Sequence, residues 1–93
     1  MVLDASREKH AQVPKKSPQY DGLPALVALG AAVRALRIER GMSQEALAHD
    51  AGMDRSYLGG IERGEHNVAV VNLLKLAGQL DTTLAELMKV AKL

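Results

Sequence analysis

The chain has 93 residues, 12 basic against 11 acidic side chains for a formal charge of +1, no cysteine, no Phe or Trp, and two Tyr. Such a length holds one domain, and an aliphatic, Ala-rich apolar content of 47% favours helices packed on helices, while the lack of cysteine excludes a disulfide framework and thiolate metal sites and fits a reducing cytosol. The longest mostly apolar run, 23–33, contains Pro24 and Gly30, is too short to span a bilayer and does not read as a secretory leader, so a soluble, cytoplasmic chain without a membrane partner is expected.

Residues 1–23 read as a flexible N-terminal arm. They lack a sustained period and lead through Pro14 and Pro18, around Lys15 and Lys16, to Pro24. Lys15 and Lys16 are candidates for phosphate contact beside a main site. The first 24 residues carry four basic and three acidic side chains, leaving eight of each in the domain expected over 24–93. Any affinity for a polyanion must therefore come from arrangement and not from net charge.

From Leu26 the period becomes helical: Leu26, Leu29, Val33 and Leu36 share a face, Pro24 suits the first turn and Gly41 the left-handed residue past the end, giving a helix over 25–40. Ser43 caps a second helix over 44–51, Gly52 ends it, Asp54 caps a third over 55–62, and Gly64 ends that. Val70, Leu73, Leu74 and Ala77 restore the period over 70–80. Thr83 and Glu86 form a capping box before a fifth helix over 84–90. No strand signal or repeat is present.

The helices over 44–51 and 55–62 are too short to stand alone in water. Joined by a tight glycine turn they meet at a large angle, which leaves the second free to enter a major groove with one face buried. Leu58 and Ile61, with part of Tyr57, form its buried face; Arg55, Ser56, Gly59 and Gly60 are expected outward.

The stretch RALRIERGMSQEALAHDAGMDRSYLGGIERG, followed by NLLKLAGQLDTTLAEL, resembles the phage-repressor helix-turn-helix family, also called Cro-like or XRE-like, over about 26–88. The resemblance implies an all-α, compact five-helix, lambda-repressor-like domain that binds double-stranded DNA as a homodimer, a transcriptional regulator and repressor on a pseudo-palindromic operator. It places Gln44 on a phosphate, a role the start of a helix also favours physically. Arg55 and Ser56 fall where base edges are read, and Arg can be bidentate to guanine. Arg37 and Glu62 match an ion pair joining the first helix to the third. Arg40, Arg63, Arg34 and the Tyr57 hydroxyl are further candidates for phosphate.

Several positions depart from the family pattern. Gly59 and Gly60 stand where a base-reading side chain is common, so they allow backbone approach to DNA or weaken readout; Glu65 and His66 occupy a loop that is often basic. Asp81 replaces a usual glycine. The apolar residues Leu84, Leu87, Met88, Val90, Ala91 and Leu93 exceed what one small core needs, and the fifth helix with the end of the fourth is expected to form the dimer contact. No cofactor, metal or small-molecule ligand is indicated: His10, His49 and His66 are scattered, and no acid pair or phosphate loop points to an enzyme. The competing reading is a protein-interaction module of the same fold, such as an antitoxin-type partner.

Overall fold

The computed structural model describes residues 21–93. Lys15, Lys16 and nearly all of the expected arm lie outside the described residues. Among these residues five helices follow in order: α1 (Pro24–Glu39), α2 (Gln44–Ala51), α3 (Arg55–Glu62), α4 (Val70–Gln79) and α5 (Leu84–Val90).

Local chemistry sets the ends of these helices. Pro24 opens α1, and Gly41, at φ 70, lets the Met42 N–H return to the Arg37 carbonyl at 3.0 Å. The Ser43 hydroxyl accepts from Ala46 N at 3.0 Å to start α2, and Gly52, left-handed at φ 69, ends it. Asp54 caps α3 through Ser56 N at 2.7 Å, and Thr83 caps α5 through Glu86 N at 3.0 Å. α4 starts at Ala69 without a side-chain cap, and it stops where Asp81 takes φ 54. Asp tolerates that region better than most residues do.

α1 packs on α3 and α5, α2 on α3 and α4, and α4 on α5. The core they enclose contains Val33, Leu47, Leu58, Ile61, Leu76, Leu80 and Leu87, all essentially inaccessible. Gly30 permits the closest of these approaches. A methyl group there would lie 2.7 Å from the Glu62 carbonyl oxygen and nearer still to that of Ile61, so the backbone of α1 rests directly on the end of α3. Nearby, the Gly22 N–H donates to the Gly64 carbonyl at 3.1 Å. The chain entering α1 is thereby tied to the residue that ends α3.

One expectation needs correction. Leu87 and Ala91, assigned to a dimer contact, are 0% and 8% exposed and complete the core under α1 and α4. Val70 and Leu74, which mark the helical period of α4 together with Leu73 and Ala77, point outward. The inward stripe is Leu73, Leu76, Ala77 and Leu80, a turn of phase that periodicity alone does not distinguish when apolar residues occupy both faces.

Candidate nucleic-acid interface

The interface is built outward from a buried ion pair. Arg37 donates to Glu62 through Nε at 2.7 Å and Nη2 at 3.1 Å, and through Nη1 to the Met42 carbonyl at 2.9 Å. The Glu62 hydrogen bonds raise the Arg37 pKa above its ordinary value, outweighing the opposing effect of burial. One guanidinium thus joins α1, the turn before α2, and the last residue of α3.

Gln44 extends this connection to the surface. Its amide nitrogen donates to Glu62 Oε1 at 2.9 Å, and its amide oxygen accepts from Arg55 Nη1 at 3.0 Å. Arg55 also lies 3.6 Å from the Glu45 carboxylate. Arg55 and Ser56 are exposed at the first turn of α3, so the arginine expected at base edges stands on a chain of polar contacts that ends in the core.

The second half of α3 is different. Gly59 and Gly60 are buried, contrary to their expected outward placement. Around Gly59 stand Arg63, whose Nη1 would lie 3.1 Å from an added Cβ, and Gln44 Oε1 at 3.8 Å. Gly60 is roofed by the His66 ring, which a Cβ would strike, with Glu65 Oε1 3.5 Å from the same point. That roof removes Gly60 from the residues open to a base. Arg63 itself is held by Glu65, Nε to Oε2 at 2.8 Å and Nη2 to Oε1 at 3.3 Å, which raises the Arg63 pKa.

The remaining candidates fall into two groups. Tyr57 is buried; its hydroxyl accepts from Asn72 Nδ2 at 3.1 Å, and its ring meets His66 edge-on at 4.9 Å between centroids. Arg40 donates to the Leu80 carbonyl at 3.0 Å and to Glu39 at 3.3 Å, tying α1 to the end of α4 and making no hydrogen bond to α2 or α3. His66, expected only as a loop residue, is part of the packing over α3. It is 6% exposed, and its Nδ1 has no hydrogen-bond partner among the described residues. Two adjacent glycines inside a helix were the available signal, because the space they leave on a packed surface has to be filled.

Among the described residues no group of His, Cys, Asp or Glu is placed to hold a metal ion, and no helix is long and apolar enough to cross a membrane. Apolar side chains exposed by about half or more include Val70, Val71 and Leu74 on α4, and Val90 and Leu93 at the C-terminal end.

The HTH_3 helix-turn-helix family model matches residues 33–87. A hypothetical transcription factor of Neisseria meningitidis serogroup B is 34% identical over 76 residues, 82% of this chain and 70% of that protein. The crystal structure of the restriction-modification controller protein C.AhdI from Aeromonas hydrophila superposes with a TM-score of 0.66 at 55% identity, covering 67% of this chain and 94% of the other. The controller protein C.Esp1396I bound to a 19 base pair DNA duplex does so with a TM-score of 0.68 at 28% identity, covering 73% and 91%. The caps of α2 and α3 and the Arg37–Glu62 pair thus sit within the matched region, and the chain belongs to the HTH_3, XRE-type helix-turn-helix family of DNA-binding transcription regulators.

Proposed function

We propose that the protein is a sequence-specific regulator that binds duplex DNA as a dimer, with α3 in the major groove of each half-site. Gln44, at the start of α2, meets a phosphate, and Arg55 and Ser56 meet base edges; Tyr57 offers only its hydroxyl hydrogen from behind them. The observation that carries the reading is the Glu62–Gln44–Arg55 chain of hydrogen bonds. It holds an exposed arginine on a rigid element, which is what bidentate recognition of guanine requires.

The dimer is assigned to α4 and α5. Val70, Val71 and Leu74 share one side of α4, and Val90 and Leu93, with the partly buried Leu84 and Met88, supply apolar surface on or just beyond α5. Two half-sites one helical turn apart then read a pseudo-palindrome. Glu45 and Glu65 near the arginines favour the second reading, a protein-interaction module of the same fold. Titration of a random duplex at 50 and 200 mM salt separates the two: binding that weakens steeply with salt supports the DNA reading, and no binding at the lower concentration rejects it. Sedimentation tests the assembly, with a dimer expected for the native chain and a folded monomer for Leu74→Glu.

A further inference from the structure

We propose that Glu65 keeps the Arg63 guanidinium off DNA phosphates and so limits the electrostatic part of the domain's affinity. The proposal rests on the DNA-binding reading. Both arginines at the ends of α3 have partners, but the partners differ in charge. Arg55 is held by the neutral amide of Gln44 at 3.0 Å, with Glu45 more distant at 3.6 Å. Arg63 faces a carboxylate with two donors of its fork, at 2.8 and 3.3 Å. Such a bidentate pair is the geometry in which a guanidinium would otherwise grip a phosphate.

Glu65 is also well fixed for a carboxylate on a loop. Its side chain is only 14% exposed, against 60% for Arg63, and its N–H donates to the Gly60 carbonyl at 2.9 Å. The bare backbone of Gly59 and Gly60 gives the pair its seat: Arg63 Nη1 lies 3.1 Å and Glu65 Oε1 3.5 Å from where the respective side chains would begin. Moving Arg63 to a phosphate would both break this pair and leave a carboxylate beside the phosphate. Arg63 therefore stays with Glu65 and adds nothing to the count of neutralised phosphates, on random and preferred sequences alike.

Glu65→Gln keeps the shape and removes the charge that holds Arg63. Binding of the full chain to a random-sequence duplex is measured between 50 and 200 mM salt for the native protein, Glu65→Gln, Arg63→Gln/Glu65→Gln and Glu86→Gln, an exposed carboxylate on α5 that serves as the charge control. Glu65→Gln should steepen the plot of log affinity against log salt by about 0.9 per subunit, the value of one added phosphate contact, and tighten binding at 50 mM about threefold or more. The double variant should lose that gain. A change in Glu65→Gln no larger than in Glu86→Gln, or a gain that survives in the double variant, overturns the proposal while leaving DNA binding intact. Failure of both the native protein and Glu65→Gln to bind any duplex at 50 mM overturns the proposal together with the DNA reading.

Discussion

The two ends of α3 are held in opposite ways. Its first turn carries an exposed arginine joined through Gln44 to a carboxylate that is 2% exposed, so surface and core move as one unit. Its second half carries no side chains at 59 and 60, and its surface is made by Arg63 and by loop residues Glu65 and His66 folded back over bare backbone. Within one eight-residue helix, the outer surface is therefore built once from the helix's own side chains and once from borrowed ones. The first arrangement is rigid because a buried ion pair anchors it, whereas the second depends on the geometry of a loop.

Breaking the anchor should have the largest effect. Glu62→Ala leaves the Arg37 guanidinium buried without its partner, and loss of one member of such a pair costs about 3 to 5 kcal/mol. The melting temperature should fall, and DNA affinity should fall with it because Gln44 loses its acceptor; an unchanged melting temperature would detach the first turn of α3 from the core. Gly30→Ala comes next, at about 3 kcal/mol, since its methyl would meet backbone oxygens of Ile61 and Glu62 that cannot rotate away. Denaturant unfolding measures it. A variant as stable as the native chain would show that α1 and α3 have more freedom than the contact allows.

Arg55→Ala leaves this framework standing and tests recognition alone. It should cost about 1 to 3 kcal/mol on the preferred duplex and relax preference at one base pair. Equal losses on every sequence would reassign Arg55 to a phosphate.

The front of the interface was more legible in the sequence than the back. Ser43, Asp54 and Thr83 cap helices by side-chain chemistry that acts within three residues, and Gly41, Gly52 and Gly64 end them through the left-handed region, so helix bounds could be placed within a residue. The Arg37–Glu62 pair spans 25 positions and was accessible only through the family resemblance. Apolar period marks a helix but not the side a neighbour will cover: Val70 and Leu74 share the period of α4 with Leu73 and Ala77 yet stand outside, and Leu87 and Ala91, expected at an interface, lie in the core. His66 was hidden for a related reason. Its burial comes from the shape left by Gly60 across a turn, and nothing local to 65–67 announces it.

Gly59 and Gly60 give the smallest effects and the sharpest test of how the second half of α3 is built. Alanine in place of glycine inside a helix gains about 1 kcal/mol from backbone entropy and propensity. At Gly59 the new methyl would crowd only the end of the Arg63 side chain, 60% exposed and able to shift by the few tenths of an ångström required. Gly59→Ala should therefore stabilise the domain by up to about 1 kcal/mol. At Gly60 the methyl would enter the ring of His66, which is 6% exposed and cannot move without giving up its edge contact with Tyr57, an interaction of about 0.5 to 1.5 kcal/mol. Gly60→Ala should thus show no net gain or a small loss. Melting temperatures measured side by side decide it: if both variants gain equally, His66 is a loose cover over α3 and not part of its packing.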